Sequence, residues 1–138
     1  MEKPLPRITG VDRPFWEAAD SGRLMVQRCQ SSECGRHILY PRVCCPYCGG
    51  GDLSWEEASG RGHIRSYTFV HRPQHESFYD EAPLCFVAVA LEEGPLLYGE
   101  VRPRPAEAEQ LLDRRVKVVF LEHAAGRKLP YFELEPIS

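Results

Sequence analysis

The chain has 138 residues, 43% of them apolar and 27% charged. That balance describes a folded domain and excludes a disordered chain. The formal net charge is −3, and both halves are near neutral, with seven basic against eight acidic residues up to Gly60 and ten against twelve after it. This excludes the surplus of positive charge that a nucleic-acid partner needs.

No apolar stretch follows the charges of MEKPLPRITG, so no secretory leader is expected. The longest apolar run, LCFVAVAL at Leu84 to Leu91, is too short to cross a bilayer. A cytoplasmic protein with no membrane partner and with reduced thiols is therefore expected.

Three zones follow one another, with boundaries at 1–22, 23–52 and 53–138. In the first, PFWEAAD reads as a short helix, with Asp12 as N-cap, Pro14 in the first turn and Gly22 as the stop. Its Phe15 and Trp16 must bury, either on this chain's own core or on a partner. The second zone holds five of the six cysteines, between strand-like LMVQRC and HILYP.

The third zone is all-β. SGRGHIRSYTFVH alternates with period two, and LCFVAVAL is apolar on both faces, as a strand inside a closed sheet must be. PLLYGEV, RVKVVFLEH and LPYFEL complete five strands, and AEAEQLL between the third and fourth reads as a helix. That order is the order of an OB-fold barrel. The expected fold class is therefore all-β: a five-stranded OB-fold barrel preceded by an N-terminal helix and a four-cysteine ribbon.

The cysteines are spaced Cys29-x4-Cys34, ten residues, Cys45-x2-Cys48. Two cysteine turns facing each other deliver the four soft ligands that Zn²⁺ takes in a tetrahedron. Such a site has no open position, so the zinc is expected to be structural and to order a segment with few apolar residues of its own. Four thiolates suit iron as well, and Cys44 can replace Cys45 in a slipped register. Free, buried or redox-active thiols are the competing account.

Other candidates read more plainly. Cys85, in an apolar strand, is expected to be a small core residue. His71 and His75 flank Arg72-Pro73 and belong to a loop. Tyr67, Phe69, Tyr79 and Tyr98 are the aromatics expected on a barrel face, and Arg61, Arg65, Arg72, Arg102 and Arg104 fall near strand ends. No Ser-His-Asp pattern, phosphate-cradling loop or carboxylate pair stands out, so no catalytic residue is assigned.

The segments PFWEAADSGRLMVQRC, YPRVCCPYCGGGDLSW and ASGRGHIRSYTFVHRP together resemble one family over nearly the whole chain. It is the family of acyl-CoA-associated OB-fold proteins with a rubredoxin-like zinc ribbon, long catalogued as a domain of unknown function. The chain departs from the family pattern in its first knuckle, where four residues separate the cysteines in place of two. The resemblance implies the ligand set Cys29, Cys34, Cys45 and Cys48, with Cys44 outside.

It further implies a non-catalytic accessory subunit of a thiolase-like or related aldolase-like enzyme acting on acyl-CoA thioesters. That subunit would work in a hetero-oligomer and help its partner hold the coenzyme A thioester. Docking through ribbon and helix, with Phe15 and Trp16 as anchors, is the corresponding expectation. The alternative is a nucleic-acid-binding module built from the same two parts.

Overall fold

The structure is a computed structural model that describes residues 3–137. Its first element is the helix α1 (Arg13–Asp20), with Pro14 in its first turn. Asp12 stands at the N-cap position but makes no cap hydrogen bond. Its carboxylate instead accepts from the Thr9 amide at 2.6 Å and the Thr9 hydroxyl at 3.0 Å. A helix of eight residues has little stability alone. It is held by burying Phe15 and Ala19.

Two sheets follow. The smaller is built from β1 (Met25–Cys29), β2 (His37–Ile38) and β3 (Leu53–Glu57), antiparallel in the order β2-β1-β3. The larger contains β4 (Arg61–Val70), β5 (Leu84–Leu91), β6 (Leu96–Glu100), β7 (Arg115–Ala124) and β8 (Arg127–Leu134), in the order β6-β5-β4-β7-β8. A parallel bridge from Val101 to Phe132 brings the chain just beyond β6 against β8 and closes the barrel there, while β6 itself is paired as a strand with β5 alone.

The period-two pattern decides the inside. On β5, Cys85, Val87, Val89 and Leu91 point into the barrel with Ile64, Leu97, Val116 and Phe132. Phe86, Ala88 and Ala90 pair with Glu100, Tyr98 and Leu96 on the outer face. Gly62 lets β4 cross β5 closely, since a Cβ there would lie 2.3 Å from the Ala90 carbonyl oxygen.

One expected element is absent. Residues 106–112 form turns, not a helix. Seven residues without a capping side chain cannot offset the cost of nucleating a helix, and burying Leu111 completely fixes the segment as a plug for the barrel end. The helical turn lies elsewhere, as a 3₁₀ helix (Glu76–Glu81) between the first two barrel strands. The His75 Nδ1 accepts the Ser77 amide at its start. Among the described residues no helix is long and apolar enough to cross a membrane.

Candidate metal centre and the ribbon–barrel junction

Each cysteine turn is shaped by backbone hydrogen bonds that local sequence permits. In the first, Cys29 closes β1 and its amide bonds to the Arg36 carbonyl at 2.9 Å, while the Cys34 amide bonds to the Ser31 carbonyl at 3.1 Å. In the second, the Cys45 amide reaches Gly50 O and the Gly49 amide reaches Cys45 O, both at 2.8 Å. Gly35 and Gly49 have φ of 70° and 80°, a conformation that a side chain disfavours.

The result is a four-sulfur cluster. Cys29, Cys34, Cys45 and Cys48 bring their sulfurs within 4.8 Å of one another. Cys29 Sγ lies 3.6 Å from Cys48 Sγ, and Cys34 Sγ lies 3.7 Å from Cys45 Sγ. Sulfurs placed about 2.3 Å from one tetrahedral ion stand about 3.8 Å apart, so the spacing fits Zn²⁺ well. It is far from the ~2.05 Å of a disulfide.

The amides of Tyr47 and Gly50 point at Cys45 and Cys48, each at 3.4 Å. Burial works to raise the Cys45 thiol, but the Cys48 and Tyr47 amides draw it down to about 7. Cys48 is pushed up to about 11: the Gly50 amide works to lower it, but the Cys29 sulfur, burial and the other sulfur neighbours outweigh that. Four thiolates this close ionise together only around a cation. Cys44 is exposed and outside the cluster, and Cys85 is buried in the barrel.

The ribbon has little else inside it. Its own buried cluster is Cys29, Cys45 and Ile38, with Cys34 and Leu53 against them. It joins the barrel by packing Leu24 and Val26 into the main core cluster, and sequence reasoning missed two polar clasps, one inside the ribbon and one from the ribbon to the barrel. Gln27, buried on β1, donates to the Arg42 carbonyl at 2.9 Å and accepts the Arg42 amide at 2.7 Å. Tyr40 accepts the Tyr98 amide on β6 at 3.0 Å. A glutamine at an inward position of LMVQRC was the available signal for the first clasp. Nothing local marks the second.

The aromatics divide. Phe15 is 2% exposed and sits in the chain's own core, with Trp16 packed against that core. Phe15 therefore cannot anchor a partner. Tyr67 and Phe69 pack on the barrel core. Tyr40, Tyr98 and Phe86 form an outer row, 39%, 46% and 43% exposed. Successive rings lie 6.4 and 6.5 Å apart, each pair inclined by 11°. Beside Tyr40 and Tyr98 an apolar hollow of ≈ 200 Å³ separates β6 from Leu129–Tyr131. A larger, open hollow of ≈ 420 Å³ faces Arg28, Arg36, His37 and Tyr47.

The remaining candidates stay structural. Burial pushes the Cys85 thiol up to about 11, which suits a core residue. His71 and His75 lie in the connection after β4, the first against Glu107 at 3.2 Å. Arg102 pairs with Glu100 and Glu81. Arg104 bonds to the carbonyls of Glu81 and Pro83.

Comparison with known proteins agrees with this geometry. Residues 16–54 match the family model described as "ChsH2, rubredoxin-like zinc ribbon domain", and residues 55–121 match "ChsH2, C-terminal OB-fold domain". A "DUF35 domain-containing scaffold protein" of Pyrococcus furiosus is 30% identical over 103 residues, covering 73% of this chain and 68% of that protein. The "Probable enoyl-CoA hydratase alpha subunit" of Thermomonospora curvata is 42% identical over 96 residues. That match covers 69% of this chain but only 28% of that relative's length.

A solved structure titled "Ltp2-ChsH2(DUF35) aldolase" superposes with a TM-score of 0.81 at 32% identity, covering 94% of this chain and 98% of that one. A DUF35 protein of Sulfolobus solfataricus shares the fold at a TM-score of 0.62 and 14% identity, covering 91% and 86%. Sulfur geometry, barrel topology and these matches lead to one statement: the chain belongs to the DUF35 family, on the ChsH2 plan of a rubredoxin-like zinc ribbon followed by an OB-fold.

Proposed function

We propose that this protein is a non-catalytic accessory subunit of a thiolase-type or related aldolase enzyme acting on acyl-CoA thioesters. The observation that carries this reading is the near end-to-end match to the chain of the Ltp2-ChsH2 aldolase. The names of the P. furiosus and T. curvata relatives point the same way, one a scaffold protein and the other a subunit of an acyl-CoA enzyme.

The chemistry of the chain supports it. Among the described residues no serine, threonine or cysteine is paired with a histidine that a second group orients. The one short Ser–His contact, Ser77 Oγ to His75 Nδ1 at 2.6 Å, belongs to a helix cap whose Nδ1 also takes the Ser77 amide. Zn²⁺ held by Cys29, Cys34, Cys45 and Cys48 would be structural, because four protein ligands leave no position for water or substrate.

Docking would use the ribbon and the helix side of the molecule. The exposed Tyr40–Tyr98–Phe86 row supplies anchors where Phe15 cannot, since large aromatics at the centre of a patch dominate binding. A coenzyme A thioester would be held jointly with the partner. The open hollow beside Arg28 and Arg36 offers guanidinium groups of the kind that pair with phosphates.

The test is co-purification from a cell that also makes its thiolase-type or aldolase-type neighbours. A stable complex whose partner loses turnover when this chain is withheld is the expected result. A partner fully active and stable without it would overturn the proposal.

A further inference from the structure

The N-terminal residues lie across the barrel in a specific way. Lys3 Nζ sits between both carboxylate oxygens of Glu81, at 2.7 and 2.6 Å, and 5.3 Å from the centre of the Phe78 ring. Its side chain is only 18% exposed. One residue on, the Pro4 carbonyl lies 2.8 Å from His123 Nε2. A carbonyl can only accept, so that nitrogen carries the hydrogen. The other ring nitrogen is 3.2 Å from the Tyr131 hydroxyl. The Phe78 and His123 rings are 6.1 Å apart.

These groups come from two connections. Phe78 and Glu81 belong to the 3₁₀ helix between the first and second barrel strands. His123 lies at the end of β7, just before the turn into the last barrel strand. In OB-folds these two connections form the mouth where extended ligands lie. The segment filling it here is itself extended, since Pro4 and Pro6 fix φ and carry no amide hydrogen. Leu5 between them points outward, 45% exposed.

We propose that the mouth between the 76–81 turn and the end of β7 is a recognition site for a partner's extended Lys-Pro segment, at present filled by the chain's own Lys3–Pro6. Glu81 and the Phe78 ring read the ammonium, by charge and by cation–π attraction. His123 reads the backbone carbonyl that follows. Arg102, 3.0 Å from Glu81 Oε1, holds the carboxylate in place. The tethered segment acts at an effective concentration in the millimolar range, so the intact chain keeps its own site closed. This does not rest on the scaffold reading and stands or falls separately.

The experiment is a titration of the ¹⁵N-labelled full chain with the peptide acetyl-Lys-Pro-Leu-Pro-Arg, up to several millimolar. In Lys3→Ala, the amide signals of Phe78, Glu81 and His123 should shift and saturate. In the unaltered chain they should not. Adding Glu81→Gln to Lys3→Ala, or acetylating the peptide's lysine side chain, should weaken binding at least tenfold. Signal dispersion elsewhere verifies that each variant is folded. No response from Lys3→Ala, an equal response from the unaltered chain, or indifference to Glu81→Gln would overturn the proposal. So would dimers of the unaltered chain, which would reveal exchange of the segment between copies.

Discussion

The ribbon and the barrel solve the same problem by opposite means. The barrel buries a continuous apolar cluster from Phe15 to Phe132, and its cohesion is the hydrophobic effect spread over many side chains. The ribbon's Leu24 and Val26 join that cluster, and the core of its own that remains is two cysteines and one isoleucine, too little to hold the cysteine turns against chain entropy. Its cohesion is concentrated in four sulfurs spaced to hold a cation. One half should therefore fail gradually as side chains are trimmed, and the other all at once.

The sharpest way to break that contrast is Cys45→Ser. It should cost the chain its tightly held metal, one ion per chain falling to a small fraction, by elemental analysis. The amides of residues 30–50 should then exchange freely while those of β4, β5 and β7 stay protected. Metal binding in comparable sites carries on the order of 10 kcal/mol of folding free energy, so partial effects are not expected. Cys44→Ser, outside the cluster, should retain the ion.

Phe132→Ala should give the reverse pattern. It empties a fully buried position at the closure of the barrel and should cost about 3–5 kcal/mol in denaturant unfolding, with metal content unchanged. Gly62→Ala should cost roughly 1–3 kcal/mol, because the new methyl meets the Ala90 backbone and Val89. Tyr40→Phe removes one hydrogen bond between the halves and should cost about 1 kcal/mol.

The smallest effect sharpens the role of the N-terminal segment. Burial works against ionisation of Glu81, but Lys3 and Arg102 outweigh it and hold its carboxyl below the ordinary range. The native pairing therefore contributes stability above the ordinary carboxylate pKa and loses it as pH falls through the lowered native value. Hydrogen exchange across 76–82 should accelerate on acidification through that range. In Glu81→Gln this pH-dependent increment should disappear.

The two halves also differed in how they could be read. The barrel strands were legible because alternation along Arg61–Val70 and Arg115–Ala124 and the apolar run of Leu84–Leu91 are local signals. Spacing marked a pair of facing cysteine turns, but it left Cys44 and Cys45 interchangeable, and only the family resemblance chose Cys45, the residue the structure places in the cluster. The expectation of a helix at 106–112 failed because composition says nothing of Leu111 plugging the barrel end. The partner-anchor role for Phe15 failed because exposure is a property of packing. Gln27 and Tyr40 reach across 15 and 58 residues of sequence, and only the fold brings their partners to them.

Tyr40 has one more implication. β6 is the outermost strand in the order of its sheet, and its Tyr98 amide is occupied by a phenol from the ribbon. An open strand margin invites a neighbouring molecule to add its own strand. The ribbon is thus also a guard on the barrel's flank, and a barrel severed from it should stick to itself along β6.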